Sequence, residues 1–308
     1  MNTQNAELRQ PDKTVEFMMS VTADIASYRL RNFVAMNGIR EAGYDFVTSI
    51  APSGRSDVYF FSKHFFREDR SYSRQLKEQG AKVVFDMCDF HPRNDALYEH
   101  YEEMVGNADI VTCNTEAMKK IIKAQFGRDA TVIPEPYEGK RGVPMPHLGD
   151  HPRMLWFGHQ RSFNAVEDKL LDSKYRPLEI VAMEKPEWNT QEVYFTTWTK
   201  EYQMLAMFRC DVVIIPVADG PEWQVKSANR LINGLWSGRF VCAEYMPAYE
   251  EFSEFAWVGD IIEGIEWAKK NPEQVKERIE AGQRYIKENY DPQKIGRKWA
   301  ELLIGELT

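Results

Sequence analysis

A chain of 308 residues, 43% hydrophobic and 28% charged, is long enough for two α/β domains and has the composition of an ordinary globular protein, not a disordered or fibrous one. Its formal charge of −8 repels polyanions, which disfavours a nucleic-acid partner without excluding one that meets a local basic patch. Cys88, Cys113, Cys210 and Cys242 lie in or beside apolar runs without metal-ligand spacing, as expected of reduced thiols and no disulfide. The opening MNTQNAELRQPDK is polar, with no apolar stretch of an export signal, and nowhere do eighteen apolar residues run together; the expectation is a cytoplasmic protein without a transmembrane segment.

In chain order, residues 15–20 read as a strand and the amphipathic stretch 28–42 as a helix ending at Gly43. The unit recurs, with strands at 44–50 and 57–61, a helix at 71–79 ending at Gly80, and a strand at 82–85. A helical segment near 95–105, a strand at 110–113, a helix at 115–126 with Asn114 as N-cap, and a strand at 131–133 follow. Residues 134–153, PEPYEGKRGVPMPHLGDHPR, are dense in Pro and Gly and lack periodicity, which marks a linker. The alternation restarts with strands at 154–157, 178–183 and 193–196, a helix at 200–209, a strand at 212–216, a helix at 229–237, a strand at 240–243 and a short strand near Trp257. From 261 the chain is helical, broken at Asn271-Pro272 and Asp291-Pro292. This alternation predicts an α/β protein of two doubly wound, Rossmann-like halves, which in open sheets bind ligands beyond the carboxyl ends of the strands. The expected domains are 1–140 and 141–290, with a terminal helix over 291–308.

The stretch 211–252 carries the most chemistry. It reads as a buried strand, a polar loop, a helix start bearing Lys226, Ser227, Asn229 and Arg230, and a Gly turn into a further strand. Amides at a helix N-terminus, reinforced by two cations, suit a diphosphate. Equally, Lys226 and Arg230 are solvated helix residues and Ser227 a cap.

In the first half two strand-end loops stand out, one with Asp24, Ser27 and Arg29, the other with Asp86, Asp89 and His91. Charge at the end of an apolar strand is solvated or functional. The second loop suits proton transfer from an acceptor hydroxyl, ligation of a metal by D-x-x-D-x-H, or an Asp cap beside a surface His. Residues 62–67 with Arg70 offer a polyanion surface or, preferably, a solvated loop with two core aromatics.

The stretch 211–252 is similar to the donor-binding region of retaining GT-B glycosyltransferases of family four. Asn229-Arg230-Leu231 and Gly238 occupy the family's Asn-Lys-Leu step and Gly turn. The glutamate that the family places five residues before that Gly corresponds to Asn233, and its partner eight residues earlier to Val225. The E-x7-E pair is absent, and Glu222 is the candidate substitute. Residues 156–161, WFGHQR, resemble the first strand and Gly turn of the second domain. There Gly158 would let the backbone approach the diphosphate, Arg161 would pair with it, and His159 would join them or be a loop histidine satisfied by backbone. Thr196-Thr197-Trp198 falls where such enzymes hold the base, with Trp198 stacking on it or buried in the core. Residues 132–137, VIPEPY, resemble the family's V-I-P-N-G segment, and 293–303 the tail that crosses back to the first domain.

The resemblance implies two Rossmann-like domains facing a cleft and transfer of a hexosyl or pentosyl group, with retention, from a UDP- or GDP-sugar co-substrate. No metal or cofactor is implied. The donor would lie against Lys226, Ser227, Asn229, Arg230, Gly158, His159, Arg161, Trp198 and Glu222. The acceptor would lie near Asp24, Ser27 and Arg29, with Asp86, Asp89 and His91 as candidate catalytic groups. A glycan, a lipid-linked sugar, a metabolite, a protein and a modified base in DNA all remain open as acceptors. Alternatives are a non-catalytic two-lobed binding protein and a GT-B epimerase or phosphorylase.

Overall fold

Uninterrupted apolar runs become the inner strands of parallel sheets, where both faces are covered, and runs that keep polar positions become edges. The computed structural model of the chain describes residues 13–19, 25–93, 95–187 and 190–305, and all counts below refer to these. Its contacts divide the chain into one unit of Met1–Glu135 with Pro292–Thr308 and a second of Pro136–Asp291.

In the first unit the strands are β1 (Val15–Met18), β2 (Phe46–Ser49), β3 (Val58–Ser62), β4 (Lys82–Met87), β5 (Ile110–Cys113) and β6 (Thr131–Val132), in the parallel order β2-β1-β3-β4-β5-β6. All five residues of β3 are buried, whereas β2, at an edge, has none fully buried. The helices are α1 (Phe33–Glu41), entered through a π-helical turn at Tyr28–Asn32, α2 (Asp69–Glu78), α3 (Tyr98–Asn107) and α4 (Glu116–Phe126). Thr115, rather than the expected Asn114, caps α4 by accepting a hydrogen bond from the Met118 amide. Asn114 instead donates through Nδ2 to the Cys88 carbonyl.

The second unit holds β7 (Met154–Phe157), α5 (Gln160–Leu171), β8 (Leu178–Ala182), β9 (Val193–Thr197), α6 (Lys200–Arg209), β10 (Val212–Ile215), α7 (Pro221–Gln224), α8 (Asn229–Trp236), β11 (Phe240–Ala243), β12 (Trp257–Val258), α9 (Ile261–Lys270) and α10 (Pro272–Asn289). The strand order β12-β11-β10-β7-β8-β9 is that of a dinucleotide-binding sheet. β7, β10 and β11 are buried throughout. Helix α5 is missing from the sequence reading, although Phe163, Val166 and Leu170 form its buried face. The thiols Cys88, Cys113, Cys210 and Cys242 are all buried and unpaired. No helix among the described residues is long and apolar enough to cross a membrane.

The last helix, α11 (Pro292–Ile304), packs into the first unit. Its Trp299 lies edge-on to Phe60 at 5.1 Å, with the Arg31 guanidinium 4.8 Å from the indole. Lys13 and Lys82 donate to the Ile304 and Leu302 carbonyls at the negative end of the helix. α11 crosses α1 at glycine, and a Cβ on Gly38 would fall 1.9 Å from the Gly296 carbonyl oxygen. Gly38→Ala is therefore expected to lower stability by about 3 kcal/mol through overpacking; a denaturation midpoint equal to that of the parent would show that α11 does not sit there.

Candidate functional site

In the second unit the strand order reverses between β7 and β10, so the connections that leave them diverge and open a crevice at their carboxyl ends. A pocket of about 270 Å³ lies there. It is lined by Ser162 and Val166 of α5, by Pro216, Val217 and Ala218 after β10, and by Trp223, Lys226, Arg230, Met246 and Tyr249.

The head of α8 gives this pocket its character. Its N-cap is Ala228, which has no side-chain acceptor for the leading amides. Lys226 Nζ lies 5.7 Å from the Trp223 ring and the Arg230 guanidinium 5.7 Å from the Trp156 ring. Arg230 Nη1 and Asn229 Nδ2 are both buried, and neither has an acceptor. Such donors are costly unless something anionic or carbonyl-like meets them. Burial raises the Tyr249 pKa, partly offset by Arg230, so its phenol stays a neutral donor.

The opposite wall is fixed by a ring of three hydrogen bonds. The Val217 amide donates to Glu244 Oε2 at 2.8 Å, and Lys169 Nζ donates both to that oxygen and to the Val217 carbonyl at 2.7 Å. Sequence reasoning passed over Lys169, Glu244, Trp223 and Tyr249. Trp223, three residues before Lys226, carried a readable signal, whereas the others depend on contacts distant in sequence.

The expected donor residues do not all gather here. Lys226 and Arg230 line the pocket, Asn229 begins the same helix, and Ser227 lies in the turn before it. Gly158 lies under the Trp156 ring, 2.9 Å from where its Cβ would be, so packing already requires glycine there. His159 caps α5, its Nδ1 accepting from the Arg161 amide at 3.2 Å, which is the backbone-satisfied alternative. Arg161 is exposed and does not line this pocket, whereas its neighbour Ser162 does. Glu222 belongs to α7 and its carboxylate folds against Gly220. Trp198 is partly buried against the core, and its Nε1 donates to Gln203 Oε1 at 2.7 Å.

In the first unit Asp24 lies outside the described residues, while Ser27 and Arg29 lie in the turn entering α1 and are partly buried. The D-x-x-D-x-H loop disperses. Asp86 is buried and accepts four hydrogen bonds, from Arg31 Nε and Nη2, Ser62 Oγ and Thr112 Oγ1. All its lone pairs are engaged, so the structure gives it a supporting place instead of the acid-base one expected for it. Burial works to lower the Arg31 pKa, but Asp86 outweighs it and the net direction is upward. Asp89 pairs with Lys63, which holds a left-handed φ of 55°. His91 stacks on Tyr101 at 4.8 Å, with Nδ1 3.0 Å from Asp95 Oδ2. Asp95 was not foreseen. Among the described residues no three of His, Cys, Asp and Glu are grouped to hold a metal ion. Residues 62–67 are mostly structural: Ser62 supports Asp86, and buried His64 pairs with Asp69 at 2.7 Å.

No protein-family model and no curated protein matches the sequence. Among solved structures the chain is similar to HepE of Anabaena in complex with UDP, at 12% identity and a TM-score of 0.68 over 96% of this chain and 100% of that one. It is similar to WaaG, a glycosyltransferase involved in lipopolysaccharide biosynthesis, at 12% identity and 0.67 over 95% and 100%. It is also similar to an alpha-glucosyltransferase in complex with UDP-glucose and DNA containing an abasic site, at 9% identity and 0.61 over 95% and 99%. The fold is therefore GT-B, with two Rossmann-like domains.

Asp86→Ala strands the Arg31 charge in the core of the first unit and is expected to cost about 3–5 kcal/mol. Chemical denaturation of the variant reads this directly, and a loss under 1 kcal/mol would return Asp86 to the candidates for chemistry.

Proposed function

We propose that this chain is a glycosyltransferase that binds the diphosphate of a nucleotide-sugar at the head of α8 and moves the sugar to an acceptor hydroxyl. One observation carries the reading: Asn229 and Arg230 each bury a donor that has no acceptor, at an N-terminus without a side-chain cap and beside Lys226. Amides, a guanidinium and an ammonium at a crevice between reversed strands favour a multiply charged anion. Uridine nucleotides are the first to test, because HepE and the alpha-glucosyltransferase were solved with them.

In the proposed reaction the bond from the anomeric carbon to the diphosphate breaks, one from that carbon to the acceptor oxygen forms, and the acceptor hydroxyl gives up its proton. Negative charge grows on the departing diphosphate, and Arg230, Lys226 and the α8 amides stabilise it more than they stabilise the bound donor. This positive set supports a reaction that needs no metal, and the family resemblance supports retention. On the acceptor side we assign proton transfer to His91, with Asp95 and Tyr101 orienting its ring and Ser27 and Arg29 in the same unit. The cytoplasm is the compartment that fits the reduced thiols.

Arg230→Ala is expected to weaken UDP or GDP binding roughly 10- to 100-fold, the range for one charge-assisted hydrogen bond, with the melting temperature nearly unchanged. Equal affinity in calorimetry would remove the donor assignment. His91→Ala is expected to lower turnover on a working donor–acceptor pair about 100-fold or more while donor affinity holds. Full turnover in that variant would assign His91 to packing.

A further inference from the structure

At the β9 edge of the second unit's sheet, the outer flank is apolar where water favours polar groups. Among the described residues β9 pairs only with β8. Glu179 of β8 stands in register with Tyr194 and accepts from Thr196 Oγ1 at 3.0 Å and from Arg209 Nη2, at the end of α6, at 2.5 Å. Glu179, Tyr194 and Thr196 therefore lie on the face that α6 covers. Tyr202 is two turns before Arg209 on the same side of that helix, and Leu205 and Phe208 continue from it at three-residue steps. Tyr194 is 62% exposed, Tyr202 50%, Leu205 50% and Phe208 52%, while Ala206 and Met207 are buried. A helix that is apolar outward as well as inward is built to be covered.

The backbone of β9 turns outward at the same place. The Leu178 amide donates to the Glu192 carbonyl and the Trp198 amide to the Ala182 carbonyl. The even-numbered residues thus bond toward β8, and the amides and carbonyls of Phe195 and Thr197 point away from it. Sheet edges are commonly blunted by a charge or a proline, and Val193–Thr197 carries neither.

Independently of the glycosyltransferase reading, we propose that this edge is a two-fold interface between two copies of the chain, in which β9 pairs antiparallel with its counterpart and the α6 flanks close over the junction. An axis through Phe195 aligns the whole strand: Phe195 exchanges both backbone bonds with its counterpart, and each Thr197 amide donates to the Val193 carbonyl across the axis. Such an axis is perpendicular to the sheet, so both α6 helices lie on one face, with the two Tyr194 side chains between them as cross-strand neighbours of Thr196. Half-exposed side chains of this size present roughly 100 Å² each. Tyr194, Tyr202, Leu205 and Phe208 together offer about half of the roughly 800 Å² per partner that a standard interface needs, and the paired strands supply the rest. A second copy fits this surface better than lipid does. Arg209 is matched by Glu179 and Lys200 by Glu138, and Glu201 is exposed on α6, whereas an anionic membrane selects unmatched cations beside apolar residues.

The test is analytical ultracentrifugation of the full chain over a concentration series, with circular dichroism to establish that each variant is folded. Wild type is expected to sediment at twice the 35.9 kDa chain mass, with a dimer Kd in the micromolar range or tighter. Tyr202→Glu combined with Leu205→Glu, which places charge on the helix flank, is expected to raise that Kd about 30-fold or more, the scale of a hot-spot loss. Thr197→Pro, which removes an outward amide and no bond to β8, is expected to do the same. Should Thr197→Pro fail to fold, the helix variant decides alone. A wild type that stays monomeric throughout the series, or a dimer that withstands either folded variant, overturns the proposal. So does a monomer that floats with vesicles of phosphatidylserine and phosphatidylcholine and loses this in the helix variant, which would give the flank to a membrane.

Discussion

A helix whose N-cap is alanine has no capping side chain at that position for its leading amides, and at α8 that end coincides with the reversal of a parallel sheet. Much of the second unit is arranged around this end. The βαβ connection aims the helix dipole at the carboxyl edge of β7 and β10. Trp156 and Trp223 lie beside the two cations and limit their approach to water, which strengthens their interaction with an anion. The ring of bonds among Val217, Lys169 and Glu244 keeps the far wall from collapsing onto the cations. A wall fixed in advance costs little to order when a ligand arrives.

The first unit solves a different problem. Four of its six strands send a residue or a following carbonyl into one buried cluster: Ser62 from β3, Asp86 from β4, Thr112 from β5 and the Ile133 carbonyl just after β6 meet Arg31 from the π-helical turn. An ion pair taken out of water is costly unless further hydrogen bonds compensate it; here all three Arg31 nitrogens donate and Asp86 accepts four bonds. The pair fixes the turn in which Ser27 and Arg29 stand to the end of the strand from which Asp89 and His91 follow. Trp299 of α11 covers the outer face of the guanidinium, so the last helix also supports this edge of the sheet.

The sequence made the parallel strands legible because buried strands such as Val212–Ile215 and Phe240–Ala243 are apolar without interruption, and the helices because prolines at 272 and 292 start two of them. Helix α5 was legible too, from Phe163, Val166 and Leu170, but the Gly158 turn drew the reading toward a phosphate loop. The candidate site divides by range. Lys226, Asn229 and Arg230 fall within five contiguous residues, and local pattern found them. Asp86 was misread because a charge at a strand end has a third option besides solvent and function, a buried partner, and Arg31 lies 55 positions away.

The same logic separates the three side chains of the D-x-x-D-x-H loop. Their spacing makes them look like one constellation, yet each turns to a different neighbour: Asp86 to Arg31, Asp89 to Lys63, His91 to Asp95. A carboxylate whose oxygens already accept from a guanidinium or an ammonium has fewer positions left for a ligand. The left-handed φ at Lys63 belongs to this division, since a strained backbone persists only where its surroundings hold it, and here the Lys63 side chain is held by Asp89. Asp86 and Asp89 thus each face a cation, whereas His91 is buried between the Asp95 carboxylate and the Tyr101 ring.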